Sequence, residues 1–233
     1  MRHRIEDGYR VTLERLLARV RTRRLDARWL MARARRRRRR EGASLDSCLA
    51  ETYERVRAAV ERRLAAEGAV RAPGPVAGFL CDASLGGLAR WLRAAGYPAA
   101  AAPGGQPGDL VAEAARLELV LATSDHRLLE RRAVRAGTPV AVWVPSRLGR
   151  LEQLGMVLRE LRLPAREPLC MSCGGELRPV AKESVRERIP PRTALWRDEY
   201  FLCAACGRLF WHGTHWDRIR RRLEAVTPGA RRT

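Results

Sequence analysis

The chain has 233 residues and a mass of 26.3 kDa, room for one large domain or two to three small ones, and it is too long to be a disulfide knot. Lys and Arg total 46 against 26 Asp and Glu, and the net charge of +20 favours polyanionic partners, nucleic acid before anionic membrane. A hydrophobic fraction of 46% supports a buried core and excludes wholesale disorder.

Lys182 is the only lysine, so the basic excess is arginine and carries a coding bias as well as selected charge. No run approaches the roughly 18 consecutive apolar residues of a membrane span, and the N-terminus is charged where a signal peptide is apolar. The expectation is a soluble cytoplasmic protein with no membrane partner. Breakers and charge divide the chain into a basic helical extension at 1–73, a core at 76–165, a cysteine-bearing module at 166–222 and a basic tail at 223–233.

In the first part, Leu13, Leu16, Leu17 and Val20 fall at helical spacing, and Leu45, Leu49, Val56, Val60 and Leu64 form a second stripe. Two helices are predicted. Between them stand Arg35, Arg36, Arg37, Arg38, Arg39 and Arg40, read either as an RNA-binding arm or as a solvated, partly disordered junction. Ala72-Pro73-Gly74-Pro75 ends the segment. It is open whether residues 1–73 bind a partner protein or the ribosome, or are an extension irrelevant to the core.

The middle alternates strand and helix signals. Strands are predicted at Phe79-Leu80-Cys81, Leu119–Ala122 and Pro139–Val144, with helices at Leu85–Ala95, Asp109–Leu117, Arg127–Ala136 and Leu148–Leu161. The alternation argues for an α/β fold, a three-layer parallel sheet whose ligand crevice lies beyond the carboxyl ends of the strands. Asp82 and Asp125 each follow a predicted strand, and Asp109 begins the helix between them. Converging carboxylates call for a hard cation, Mg²⁺ or Mn²⁺, whose waters can attack phosphate. Asp109 as a helix cap and Asp125 as a turn residue is the competing reading. Gly86 and Gly87 allow close backbone approach of a ligand, and Arg90 and Arg93, one turn apart, grip an RNA backbone or form a solvated face. Cys81 reads as a small hydrophobe.

In the third part, Cys170-Met171-Ser172-Cys173-Gly174 and Cys203-Ala204-Ala205-Cys206-Gly207 put two thiolates each on a tight turn. Cys170, Cys173, Cys203 and Cys206 read as a closed, structural zinc ribbon, with a loop extruded around Pro190-Pro191. Paired C-x-x-C-G turns outside a thioredoxin-like unit disfavour redox chemistry. His212 and His215 are then structural or RNA-contacting, and Phe201, Phe210, Trp211 and Trp216 form the ribbon's core or stack bases. A basic helix is predicted from about Asp217 to Ala225.

The stretch from Phe79-Leu80-Cys81-Asp82-Ala83-Ser84-Leu85-Gly86-Gly87 to Gly96-Tyr97, the later Thr123-Ser124-Asp125, and the cysteine pairs with Tyr200-Phe201-Leu202-Cys203 and Trp211-His212-Gly213-Thr214-His215-Trp216 resemble the Mut7-C type PIN-like ribonuclease family over about 77–218. The resemblance implies a PIN-like fold with a C-terminal zinc ribbon and metal-dependent RNA cleavage. It also implies that Asp82, Asp109 and Asp125 occupy the acidic cluster. The sequence departs from the family at Pro98, Ser124 and Leu169, where an acid, an arginine and an arginine are usual. The alternative is a catalytically silent RNA- or ribosome-binding module.

Overall fold

The computed structural model describes the backbone of residues 2–20, 26–68, 74–102 and 107–227, with the side chains of 2–4, 107–109 and 214–215 outside the description. The first part contains three helices where periodicity predicts two: α1 (Arg2–Ala18), α2 (Ala27–Glu41) and α3 (Leu45–Ala66). The arginine run stands in the last turns of α2, not in an irregular junction. Leu30, Met31 and Ala34 give that helix its buried stripe. Asp26 accepts from the Arg28 amide at its start, and Gly42, at φ 66°, ends it. Arginine is a good helix former and favours the negative C-terminal end of the dipole. Part of the repulsion is neutralised, since Arg35 pairs with Glu6 and Arg37 pairs with Glu41 and Glu51.

The sheet comprises β1 (Phe79–Cys81), β2 (Ala99–Ala101), β3 (Val120–Thr123) and β4 (Ala141–Trp143), all parallel in the order β2-β1-β3-β4. Its connections carry α4 (Gly86–Ala94), α5 (Pro107–Arg116), a 3₁₀ turn at His126–Glu130 followed by the short α6 (Arg132–Arg135), and then α7 (Arg150–Glu160) after β4. The helix expected over 127–136 is therefore split. The period of two sends alternate strand residues to opposite faces. Leu80, Leu121 and Trp143 join α1, α2, α3 and α5 in one apolar cluster, while Phe79, Cys81, Val120 and Val142 join α4 and α7 in another. Three layers result, as expected of an α/β parallel fold.

The N-terminal helices supply most of one covering layer. Tyr9 meets the Trp143 ring edge-on, with centroids 5.0 Å apart. A Cβ on Gly8 would lie 2.0 Å from a Trp143 ring atom, so only glycine lets α1 come this close to β4. The buried Tyr53 hydroxyl donates to Glu160 of α7, and Arg159 donates to Glu54 of α3 at 3.1 Å. All three helices of the segment expected as a basic helical extension contribute side chains to the apolar cluster under the sheet.

The third part is an antiparallel sheet, order β5-β6-β7, formed by β5 (Leu177–Val180), β6 (Tyr200–Cys203) and β7 (Leu209–Trp211). Between β5 and β6 the extruded loop holds a 3₁₀ turn at Lys182–Arg188 and α8 (Pro191–Ala194). The final helix α9 (Thr214–Val226) returns Leu223 and Val226 to the cluster under α7, so the expected tail begins inside a packed helix. Residues 228–233 lie outside the described residues. No described helix is long and apolar enough to cross a membrane.

Candidate active site and metal centre

Adjacent parallel strands β1 and β3 end together, and their carboxyl edge carries two of the three expected acids. Asp82 follows β1 and caps the 3₁₀ turn Ala83–Leu85; Asp125 lies two residues beyond β3 and caps the turn His126–Glu130. Thr123 links them. Its hydroxyl donates to Asp82 Oδ2 at 2.9 Å and accepts from the Asp125 amide at 3.1 Å. Asp109 is on the first turn of α5, and its side chain lies outside the described residues.

Asp82 is 9% exposed and accepts four hydrogen bonds. Oδ1 takes the Ser84 amide at 3.0 Å and the Ser84 hydroxyl at 2.6 Å; Oδ2 takes Thr123 Oγ1 and the Ser124 amide, the latter at 2.5 Å. These use the roughly four lone-pair sites of a carboxylate. Asp125 is occupied differently. Arg127 donates to both its oxygens, at 2.9 Å from Nε and 2.7 Å from Nη2, and this holds the Asp125 carboxyl below its usual range against the opposing effect of burial. The capping role weighed for Asp125 from sequence is present in the Arg127 amide bond to Oδ1. A divalent ion fits here only by exchange. The Arg127 side chain, 65% exposed, must swing away and the Ser84 hydroxyl must turn.

Further groups surround this edge. Trp143 Nε1 donates to the Ser124 carbonyl at 3.0 Å, tying β4 to the loop between the acids. Arg90 is exposed on α4 without an ion pair to a described residue. Arg93 has a different occupation from the expected phosphate grip: its guanidinium donates to the carbonyls of Ala99, Met171 and Ser172, clasping the first cysteine turn to α4. At Gly87 the close approach is by Arg150, whose Nε would lie 2.6 Å from an added Cβ. Arg150 thus projects over the first turn of α4 from the start of α7. Sequence reasoning missed both Arg127 and Arg150. Arg127 stands two residues after Asp125 and was legible as a pairing partner, whereas Arg150 is distant in sequence and nothing marked it. Burial, with Asp82 beside it, pushes the Cys81 thiol up to about 12, which keeps it a neutral hydrophobe.

The four cysteines come together as expected, their sulfurs all within 4.8 Å of one another. Cys170 Sγ is 3.7 Å from Cys206 Sγ, and Cys173 Sγ is 3.4 Å from Cys203 Sγ. A tetrahedral ion with Zn–S bonds of about 2.3 Å spaces its sulfurs about 3.8 Å apart, so the set fits zinc. Gly174 at φ 85° and Gly207 at φ 66° turn the chain after each pair. The Cys206 amide points at Cys203 Sγ and the Gly175 amide at Cys173 Sγ, the polarity a thiolate needs. His212 is not in this set. Its ring meets those of Phe201 and Trp216, with centroids 4.9 Å away in each case, and its Nδ1 meets Glu199 at 2.9 Å. The His215 side chain lies outside the described residues. Trp211 packs with the buried Tyr200, Val185 and Ile189 in the ribbon's small core. Among the described residues, the cysteine set is the only cluster of three or more metal-ligating groups.

A protein-family model described as Mut7-C RNAse domain matches residues 77–223, spanning both the parallel sheet and the cysteine module. The three N-terminal helices lie outside the match. No curated protein and no solved structure matches the chain.

Proposed function

Since the chain belongs to the Mut7-C RNAse domain family, we propose that it hydrolyses RNA phosphodiester bonds at the carboxyl edge of its parallel sheet, using Mg²⁺ or Mn²⁺ held by Asp82, Asp125 and Asp109. The observation that carries this reading is the placement of Asp82 and Asp125 just beyond the ends of neighbouring strands, bridged by Thr123. A bound ion would supply an activated water and charge stabilisation at the phosphate. The chain's own residues do the rest. Asp125 would take the ion in place of Arg127, whose guanidinium, already charged in the pair, would be left as an unpaired cation at the mouth of the site. Asp82 fixes the Ser124 amide and the Thr123 hydroxyl, which holds the two strand ends in register. Arg90, exposed on α4, and Arg150, which reaches over Gly87 in that helix's first turn, hold the phosphates that flank the scissile bond. The four cysteines hold zinc as a structural ion, and Arg93 transmits that rigidity to α4. Thiolate ligation suits a reducing compartment, and cytoplasmic residence belongs to the same proposal.

The test is incubation of the zinc-loaded full chain with labelled single-stranded and structured RNA, with Mn²⁺, with Mg²⁺ and with EDTA, beside Asp125→Asn. Cleavage that needs the ion and disappears in the variant is the expected result. Cleavage in EDTA, or an Asp125→Asn variant as fast as the parent, would overturn it. One observation favours a second reading, a silent RNA- or ribosome-binding module that uses residues 1–73 as a partner surface: Asp82 already has every lone pair engaged by protein donors. RNA binding without turnover under every ion condition is the outcome that reading expects.

A further inference from the structure

We propose that the cleft between α2 and α3 is a groove for single-stranded RNA, in which Trp29 stacks a base while Arg33, Arg36 and Arg40 hold the adjoining phosphates. The proposal rests on the reading that the chain acts on RNA, but it concerns helices that the family match does not reach. Its starting point is the way a helix divides the arginine run. At 3.6 residues per turn six consecutive side chains cannot share a face. Arg35 and Arg37 are spent on Glu6, Glu41 and Glu51. Arg38 and Arg39 line a separate polar cleft with Arg147. Arg36 and Arg40 face the α2–α3 cleft together with Arg33, at positions i, i+3 and i+7.

That cleft has a volume of about 910 Å³ and a floor of Leu30, Val56 and Val60. Trp29 stands on its wall at 47% exposure, the one large apolar side chain left exposed in the described part of the three helices. The Arg33 guanidinium covers one side of the indole, 5.5 Å from the ring centroid. Arg33, Arg36 and Arg40 make no ion pair with a described residue, in contrast to Arg37, Arg55 and Arg63 nearby, which are matched by glutamates. A row of guanidinia in excess of the one lining carboxylate, Glu41, beside an exposed ring is complementary to a ligand that alternates charged and flat apolar groups. A single nucleic-acid strand has that composition. Arg36 and Arg40 are i,i+4 neighbours with Cβ atoms about 5–6 Å apart, so a strand running along α2 meets both. Guanidinium binds phosphate through paired donors and reads no base, so the groove adds affinity without sequence preference.

The experiment measures binding of the zinc-loaded full chain to a labelled single-stranded RNA of about 16 nucleotides, without divalent ions so that no cleavage intervenes. Trp29→Ala should weaken binding by roughly five- to 150-fold, the range for loss of one stacked base. Trp29→Phe should restore most of it. Arg36→Gln with Arg40→Gln should flatten the plot of log affinity against log salt by about 1.4. These side chains are exposed or half-exposed, so the fold does not depend on them. Parental affinity in Trp29→Ala together with a parental salt slope in the double variant would overturn the proposal. So would unchanged RNA binding in variants that have lost binding to polyglutamate or to phosphatidylserine vesicles, which would assign the groove to an acidic protein or a lipid surface. Cleavage plays no part in the readout: the groove stands if these variants lose RNA and no ion supports turnover, and in that case the hydrolytic reading alone fails.

Discussion

Asp82→Asn is the substitution that separates a carboxylate held for the fold from one held only for chemistry. An amide side chain keeps one acceptor oxygen and presents an NH₂ where the second stood. Four donors converge on Asp82: the amides of Ser84 and Ser124, and the hydroxyls of Ser84 and Thr123. The hydroxyls can rotate to accept, but the amides cannot. In either orientation of the substituted side chain one backbone N–H faces another donor, at a cost of about 1–3 kcal/mol, and the remaining bonds lose their charge assistance, for a total of about 2–4 kcal/mol. Thr123 Oγ1 already accepts from the Asp125 amide, so the cheaper orientation turns the NH₂ toward Ser84, an exposed residue whose hydroxyl can turn to accept. Urea unfolding of the zinc-loaded chain should show a midpoint lower by about 1 M at an unchanged slope. Asp125→Asn provides the contrast. Its partner Arg127 is 65% exposed, and a solvent-screened pair of that kind is worth about 0–1 kcal/mol. If the two variants unfold within about 0.5 kcal/mol of each other, the structural role given to Asp82 is wrong. A loss of activity at Asp125 is therefore the cleaner report on chemistry.

Three other outcomes are expected. Elemental analysis should return one zinc per chain, and Cys203→Ser should lose both the ion and the ribbon, since structural zinc supplies about 10–16 kcal/mol of apparent binding energy; a zinc-free protein of parental stability would refute the site. Gly8→Val should lower stability by at least about 2 kcal/mol, roughly 4–8 °C in Tm by calorimetry, because its side chain must overlap the Trp143 ring; an unchanged Tm would mean that α1 does not dock on β4. Arg127→Ala should raise Mn²⁺ affinity about two- to fivefold in a calorimetric titration, as expected from removing an exposed competitor for Asp125. Equal or weaker Mn²⁺ binding would show that Asp125 is not a ligand.

The four-cysteine cluster was fully legible, because cysteine spacing followed by glycine is a local signal that survives folding. Strands β1, β3 and β4 were legible too, as short apolar runs buried on both faces. Strand β2 was not: Ala99-Ala100-Ala101 has no β-branched or aromatic side chain, and it becomes a strand only because Phe79, Leu80 and Cys81 offer it a register. Helix α2 was hidden by its own charge, since the stripe Leu30, Met31, Ala34 ends where the arginines begin and the carboxylates that make the run tolerable lie on α1 and α3 as well as at Glu41. At the candidate site the acids were visible by position and resemblance. Their occupation by Ser84, Thr123 and Arg127 was not, because it depends on side-chain orientation at the sheet edge. Ser124 stands between the acids, its hydroxyl 3.0 Å from that of Ser84, and the positive charge near them comes from Arg127 and Arg150.

The shared core of the N-terminal helices and the sheet also sets an order of events during synthesis. Helices α1, α2 and α3 leave the ribosome first, yet Tyr9 and Leu13 share their cluster with Leu80, Leu121 and Trp143. Trp143 is made 77 residues after the end of α3 at Ala66. At about 5–20 residues per second that is an interval of about 4–15 s in which an apolar helical face has no sheet to cover it. Local helix contacts form quickly, and the parallel pairing that completes the layer comes last. The net positive charge of this segment opposes association of one such uncovered face with another during that interval.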